Sequence, residues 1–167
     1  NGGAQMRWTP SGARQHTALG FWYEYRNYAA AGLNFTPDAK EYAGALFSFS
    51  GWRSGPWQAQ SALRADMRRI QPEGVRYSRR VGSIETRSFS GLSGGFSLQY
   101  QPHTHIATGA ALMRTFRAPG IEELFSEGPH LASYAYEVGN SSLDSERAWG
   151  MEVFFEFRRD GDYMNIA

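Results

Sequence analysis

The sequence predicts an all-β fold, a portion of a large antiparallel transmembrane β-barrel with about seven meandering strands. Three observations predict it. Apolar and polar residues alternate over six segments of about ten or more residues, short and long connections between these segments take turns, and aromatic residues make up 15% of the chain. A membrane barrel combines these features, because its strands face lipid on one side and a wet lumen on the other, with tight turns at one rim and long loops at the other.

The clearest alternation lies in residues 57–69. Its odd positions are mostly apolar and include Leu63 and Met67, whereas its even positions are mostly polar and include Arg64 and Asp66. Ordinary strands average about five or six residues, and a strand that crosses a bilayer at a tilt needs about nine to eleven. This segment is therefore long enough to cross a membrane as one strand.

Five other segments alternate in the same way, and a seventh strand starts near Tyr163. In one of them Arg114 shares the parity of the apolar side, so either the register is shifted there or Arg114 lies at the membrane edge. The apolar sides are Leu19, Phe21, Tyr23 and Tyr25 in residues 17–26; Ala43, Ala45, Phe47 and Phe49 in residues 41–52; Leu92, Phe96, Leu98 and Tyr100 in residues 87–100; Ile106, Ala110, Leu112 and Phe116 in residues 105–116; and Trp149, Met151, Val153, Phe155 and Phe157 in residues 147–158.

The alternation also predicts which way the side chains face. A shift of one residue would turn Arg64 and Asp66 into hydrocarbon, which is strongly unfavourable. We therefore expect lipid to meet one set of side chains and the lumen to meet the other. The first set is Ala59, Leu63, Met67, Met151, Val153 and Phe155; the second is Gln58, Gln60, Arg64, Asp66, Glu152 and Glu156.

The connections between the segments differ in length in a regular way. Residues 53–56, 101–104 and 159–162 are short and rich in turn-forming residues, whereas residues 27–40, 70–86 and 117–146 are long. This order predicts short periplasmic turns and long extracellular loops. A soluble β-sandwich also alternates and remains the alternative; it should fold in plain buffer, whereas a barrel should need detergent.

Composition excludes several classes of protein. Seventeen basic and 16 acidic residues leave a net charge of +1, which gives no basic excess for binding nucleic acid. The absence of cysteine excludes disulfides and thiolate metal sites, and no apolar run approaches the roughly 18 residues of a membrane helix. No nucleophile elbow, phosphate loop or dinucleotide fingerprint is present, so we expect neither an enzyme nor a bound cofactor.

The third long loop and its flanks carry a motif. Its residues are Phe116, Arg117, Ala118, Pro119, Glu123, Leu124, Gly139, Asn140, Leu143 and Glu146. The motif resembles the barrel domain of TonB-dependent outer-membrane receptors, in which it precedes a membrane strand. The resemblance extends over roughly residue 17 to the end of the chain.

The resemblance implies a partial barrel domain over residues 1–167, with the plug domain, the signal peptide and the barrel C-terminus absent. It implies a location in the bacterial outer membrane and a role in TonB-coupled import of a metal chelate, whether a ferric siderophore, haem or zinc. The implied partners are outer-membrane lipid and lipopolysaccharide, the TonB system, the plug domain and the chelate or metal ion itself. A passive porin-like barrel remains the alternative within this fold.

Local physical chemistry predicts order within the motif loop. Pro119 can open a helical turn, with acidic residues near its positive end, so we expect a short helix over residues 119–126 that ends at Gly128 and Pro129. Gly139 and Asn140 are expected to form a turn, and Asp144 to cap the last bend before the strand. From this local chemistry alone, we expect the motif to shape the loop and not to contact a ligand.

Two loops carry candidate binding residues. Residues 117–146 are acidic and contain His130, and imidazole beside carboxylate suits zinc, so we expect His130 and Glu127 as metal contacts. Residues 70–86 are basic, and arginine suits carboxylate or phosphate groups of a chelate or of lipopolysaccharide. Alternatively, the two loops pair with each other by charge. The candidate substrate-binding residues are Arg117, Glu123, Glu127, His130, Arg76, Arg79 and Arg80.

Overall fold

The computed structural model describes residues 2–8, 15–29, 36–74, 76–130, 134–159 and 162–166. Within them one α-helix and twelve β-strands are present. The strands are β1 (Gly2–Trp8), β2 (Gln15–Tyr28), β3 (Ala39–Ser54), β4 (Trp57–Pro72), β5 (Tyr77–Ser78), β6 (Gly82–Ser83), β7 (Arg87–His103), β8 (Ile106–Arg117), β9 (Glu127–His130), β10 (Ala135–Val138), β11 (Glu146–Arg159) and β12 (Asp162–Ile166), and the helix is α1 (Ile121–Phe125).

Eight strands form one antiparallel sheet, ordered β1-β2-β3-β4-β7-β8-β11-β12. All seven predicted strands are confirmed, and β1 is an additional strand that the sequence pattern did not indicate. It pairs with β2 from Gly2 opposite Tyr23 to Trp8 opposite Thr17, but its own side chains scarcely alternate. The remaining strands, β5 with β6 and β9 with β10, form two small separate pairs. In the described part no second large sheet packs against the first, as a sandwich would require.

The six longest strands, β2, β3, β4, β7, β8 and β11, contain 12 to 17 residues. Most extend beyond the predicted alternating segments; β4 continues to Pro72 and β7 to His103. Backbone pairing needs no apolar side chain, so it persists past the apolar stretch. None of the helices in the described residues is long and apolar enough to cross a membrane.

The two faces of the sheet differ as predicted. Leu63 and Met67 are 66% and 67% exposed on one face, called here the outer face, and Met151 lies on the same face at 76%. Arg64 and Asp66 lie on the opposite, inner face, where they form an ion pair at 2.8 Å. The pairing register shows which residues of different strands lie on the same face, because directly opposed residues share a face. The predicted division of side chains between the two faces is confirmed. The outer face carries Ala59, Leu63, Met67, Met151, Val153 and Phe155, and the inner face carries Gln58, Gln60, Arg64, Asp66, Glu152 and Glu156.

Strand β3 presents its apolar side to the inner face. Phe47 stands opposite Arg64, and Ala45 opposite Asp66, so Ala43, Ala45, Phe47 and Phe49 lie on the inner face. The ring of Phe47 fills the space beside Gly20 in which a Cβ atom would stand. The apolar side of β3 therefore packs over a neighbouring glycine, and the outer face of β3 instead carries Tyr42, Leu46 and Trp52.

The alternation of β8 breaks near its end. Arg114 remains on the outer face opposite Trp149, so the register is not shifted at this residue, and its place at the membrane edge stays a prediction. Phe116, however, covers Gly91, and Gly91 stands opposite Asp66 on the inner face. The expectation that Phe116 shares a side with Leu112 is therefore wrong. The glycine leaves room for the ring, and burial against the loop core favours this direction.

Candidate functional site

The long connections meet at one end of the sheet, called here the long-loop end. The described parts of residues 73–86 and 118–145 fold over the inner face there and enclose a small apolar core with strand residues. Leu124 and Phe125 are 0% and 1% exposed in it. A buried hydrogen bond of 2.8 Å between the hydroxyls of Thr36 and Ser126 attaches the connection between β2 and β3 to this core. The core residues are Ala39, Ile70, Val81, Ile84, Phe89, Ala118, Ile121, Leu124 and Phe125.

The predicted helix in the motif loop is confirmed as α1. Glu123 caps its start, because its carboxylate accepts a hydrogen bond of 2.7 Å from the backbone N–H of Gly120. The helix ends at Phe125, earlier than predicted, and the expectation that Gly128 and Pro129 terminate it is wrong. Both of these residues lie in β9. Their backbone hydrogen-bonding groups are available for pairing with β10 because the helix does not continue through them.

Gly139 and Asn140 attach the returning chain to α1. The backbone N–H of Gly139 donates to Ser126 at 2.7 Å, and that of Asn140 donates to Glu123 at 2.9 Å. A Cβ atom on Gly139 would lie 2.7 Å from the carbonyl carbon of Leu124, so only glycine fits. The side chain of Asn140 accepts a bond from the N–H of Ser142 and organises the turn.

Arg117 joins three parts of the motif. Its guanidinium donates to Glu123 at 2.8 Å and to Glu146 at 2.7 Å. The end of β8, helix α1 and the start of β11 are therefore held together by one planar cation. Two of the candidate substrate-binding residues, Arg117 and Glu123, thus contact each other, and the motif shapes the loop as its local chemistry predicts.

The carboxyl group of Glu123 is strongly perturbed. Hydrogen bonds from Arg117 and from the backbone of Gly120 lower the pKa of Glu123 from 4.5 to about 2. A group whose pKa is lower in the folded state stabilises that state above its ordinary pKa and loses the contribution as pH falls through its folded pKa.

We therefore expect the motif loop of the full-length protein to become protease-sensitive as pH falls from 4.5 towards 2. The measurement is limited proteolysis of residues 118–145 as a function of pH with an acid-active protease. Glu123→Gln should remove this pH dependence, because the amide does not titrate. Glu85→Gln, in the neighbouring loop, is the control and should retain it; identical profiles for native protein and Glu123→Gln would contradict the assignment.

The basic and acidic loops contact each other, as the alternative interpretation holds. Arg80 lies 3.9 Å from Glu127, which also accepts a hydrogen bond from the hydroxyl of Ser78. Arg87 donates to the carbonyl of Leu143 at 2.8 Å and lies 3.9 Å from Asp144. Asp144 points into solvent and Asn140 organises the preceding turn, so the expectation that Asp144 caps this bend is wrong.

Two candidate arginines remain unpaired. Arg76 and Arg79 are exposed, and within the described part of the chain neither lies within ion-pair distance of a carboxylate. Arg80 stacks 5.0 Å from the ring centroid of Tyr136 in β10. The long-loop end therefore offers an exposed cationic and aromatic surface beside the ordered core.

The predicted metal contact is only partly visible. The backbone of His130 pairs with Ala135 in the hairpin of β9 and β10, while its side chain lies outside the described part. Glu127 is engaged by Ser78 and Arg80. Across the residues that are described, no group of three or more histidine or carboxylate side chains is arranged to hold a metal ion.

The inner face below this core carries charges that the motif did not indicate. Glu41 is 4% exposed and pairs with Arg68 at 2.7 Å. Together with Arg64 and Asp66 they line an open cavity to which Phe116 and Arg117 also contribute. The sequence contains a signal for this cluster, because alternate charged positions on neighbouring strands share a face when the strands pair.

A single long-stranded sheet with an apolar outer face, a charged inner face and packed loops at one end defines part of the wall of a receptor-type β-barrel. The family described as TonB dependent receptor-like, beta-barrel, matches residues 1–167, and the chain belongs to this family. The family is one of receptors rather than enzymes.

A solved structure has the same fold. It is a double mutant of the hemophore receptor HasR of Serratia marcescens, in complex with its hemophore HasA and heme. The TM-score is 0.65 at 19% sequence identity, over 94% of this chain and 29% of that receptor. The chain thus spans less than a third of the length of this receptor. The search of curated proteins finds no match.

Proposed function

We propose that this chain forms part of the barrel wall of an outer-membrane receptor that imports a metal chelate with TonB-coupled energy. The cargo classes are a ferric siderophore, haem or zinc. The observation that carries the proposal is the packed motif loop at the long-loop end, in a chain that matches the receptor family over residues 1–167. The HasR receptor, which is similar in fold, was solved with heme and a hemophore.

Energy dependence is the test that separates this proposal from a passive porin. The full-length receptor is expressed in a bacterium that lacks its own uptake receptors, and accumulation of iron from ferric siderophores, of haem and of zinc is measured separately. We expect accumulation of one cargo to depend on an intact TonB system. Accumulation that persists unchanged without TonB would support the porin instead.

The outer face is proposed to contact lipid, which a pair of neighbouring substitutions tests. Met151 is 76% exposed on the outer face, and Glu152 follows it on the inner face. Met151→Arg should destabilise the full-length barrel, by about 2–4 kcal/mol at most, because an arginine on the lipid face meets hydrocarbon and this cost is largest at the bilayer midplane. Glu152→Arg is the matched control and should assemble normally. The measurement is the amount of folded receptor in isolated outer membranes; equal assembly of both variants would contradict the orientation.

The long-loop end is proposed to capture the cargo through two sets of residues. Arg76, Arg79 and Arg80 offer cationic groups to an anionic chelate, and the last of these also pairs with Glu127. His130 with Glu127 offers zinc ligands. Arg117 and Glu123 contribute indirectly, since they hold the loop in place.

A crossed experiment separates the two sets. In the full-length receptor, Arg76→Gln with Arg79→Gln should weaken binding of an anionic ferric chelate at least about tenfold, because charge-assisted hydrogen bonds are lost. His130→Ala should instead weaken zinc binding. Arg53→Gln, at the opposite end of the sheet, is the control for loss of a positive charge. Unchanged affinity for both cargos in correctly folded variants would exclude these residues from capture.

A further inference from the structure

One carboxylate lies within the cationic surface of the long-loop end. In the described part of the chain, Glu127 is the only acidic residue within ion-pair distance of Arg76, Arg79 or Arg80. Its carboxylate lies 3.9 Å from the guanidinium of Arg80, and the two side chains are 31% and 60% exposed. The contact therefore lies where a dissolved anion can reach it.

A serine of the other loop holds Glu127 in this place. The hydroxyl oxygen of Ser78 accepts hydrogen bonds from the backbone N–H groups of Arg80 at 3.1 Å and of Val81 at 3.4 Å. Its hydrogen remains available as a donor, and the Ser78 hydroxyl donates it to the carboxylate of Glu127. Glu127 is thus fixed beside Arg80 by a second contact, which distinguishes it from an acidic side chain that only passes close to a cation.

Arg80 is restrained as well. Its guanidinium carbon lies 5.0 Å from the ring centroid of Tyr136, in the strand that pairs with β9. A cation over an aromatic ring is attracted by the negative face of the ring. Both partners of the ion pair are therefore held in place, and the contact joins the β4–β7 connection to the hairpin of β9 and β10.

A bound anion would compete with Glu127 for Arg80. A carboxylate 3.9 Å from a guanidinium reduces the positive potential that the cation presents, and it repels a second anion at the same group. Exposed ion pairs are weak, however, so this one can be broken. Arg76 and Arg79 contribute two further positive charges, which no carboxylate of the described residues approaches within ion-pair distance. An anion that engages several arginines can therefore replace Glu127, whereas an anion that engages Arg80 alone gains little.

We propose that Glu127 is an internal competitor, which occupies Arg80 in the unliganded receptor and leaves it when an anionic chelate binds. This inference rests on the proposed function, which assigns the arginines to cargo capture. It adds a substrate preference, because only a chelate with several negative groups provides enough charge-assisted hydrogen bonds to replace the carboxylate. A neutral chelate has no such advantage, so its binding does not depend on Glu127.

The test measures binding of ferric citrate, as the anionic probe, to the full-length receptor in nonionic detergent at constant ionic strength. Glu127→Gln keeps the size of the side chain and an oxygen that can accept from Ser78, but it removes the charge. We expect this variant to bind ferric citrate about twofold to fivefold more tightly, the change that loss of one competing exposed ion pair produces. A neutral ferric trihydroxamate should bind the native receptor and the variant equally.

Asp144→Asn is the matched control. Asp144 also lies 3.9 Å from an arginine, Arg87 at the start of β7, and its side chain is 98% exposed. The replacement removes the same charge and an ion pair of the same length that involves none of the three capture arginines, so the affinity for ferric citrate should stay nearly unchanged. In an Arg80→Gln background, Glu127→Gln should no longer strengthen binding, because the guanidinium for which Glu127 competes is absent.

The outcomes separate this inference from the proposed function, because binding in detergent requires no TonB-coupled energy. A receptor that does not import the chelate can still show the gain in Glu127→Gln, and a receptor that imports it can lack the gain. The inference is overturned by an unchanged affinity in Glu127→Gln, by an equal gain in Asp144→Asn or in the Arg80→Gln background, or by the absence of ferric citrate binding to both the native receptor and Glu127→Gln.

Discussion

Replacing Phe125 by alanine is expected to destabilise the packed loops at the long-loop end by about 3–5 kcal/mol, the range for removing a buried phenylalanine side chain. Phe125 is 1% exposed and lies beside Leu124 in the core formed by the motif loop, the β4–β7 loop and the inner face of the sheet. The truncation leaves a cavity that rigid strands on one side cannot close.

The measurement for Phe125→Ala is limited proteolysis of residues 118–145 in the full-length receptor, together with cargo affinity. We expect faster cleavage in the motif loop and weaker capture, while the strands remain assembled. Val138→Ala is the matched control, because Val138 lies in the same loop but is 49% exposed. Equal protection of both variants would show that the loop core does not hold the loops in place.

The second large effect is expected for Gly139→Ala. The added Cβ atom would stand 2.7 Å from the carbonyl carbon of Leu124 and 2.8 Å from the backbone nitrogen of Phe125. Backbone atoms of a helix cannot move aside as a flexible side chain can, so the returning chain must separate from α1. Overpacking of this kind costs about 1–3 kcal/mol. The hydrogen bonds that Gly139 and Asn140 donate to the helix end are lost with it.

Gly120→Ala is the matched control for Gly139→Ala. A Cβ atom on Gly120 would lie 3.5 Å from the carboxylate of Glu123, which is ordinary van der Waals contact. Hydrogen exchange of the amides in α1 compares the two variants. We expect strong loss of protection for Gly139→Ala and little for Gly120→Ala. Similar protection in both would contradict the close backbone contact.

Strand positions could be predicted from the sequence because a period of two is a local property. Residues 57–69 and 147–158 each display it strongly, and β4 and β11 contain them. The motif helix was predictable for a related reason, since Pro119 and the following acidic residues act within one turn. In contrast, β1 joins the sheet through backbone pairing with β2, which its side chains do not reveal.

The charged residues of the two loops can be recognised in the sequence, but the individual partners of each residue cannot. Glu127 and Arg80 occur in different loops, and their proximity depends on how both loops fold over the inner face. The buried pair of Glu41 with Arg68 likewise joins two strands whose register is set over their whole length. Alternation indicates which of these residues share a face, but the pairing register of strands far apart in the sequence decides which of them touch.

The strand period, the order of short and long connections and the family motif around Arg117 can all be read from the order of the residues. The inward direction of Phe47 and Phe116 and the contacts among the motif residues arise only when the strands and loops pack together. The physical reason is that hydrophobicity and turn chemistry act over a few residues, whereas a ring turns towards whichever neighbouring strand offers a glycine. Gly20 and Gly91 offer that space from β2 and β7, and only the pairing of the strands brings them to Phe47 and Phe116.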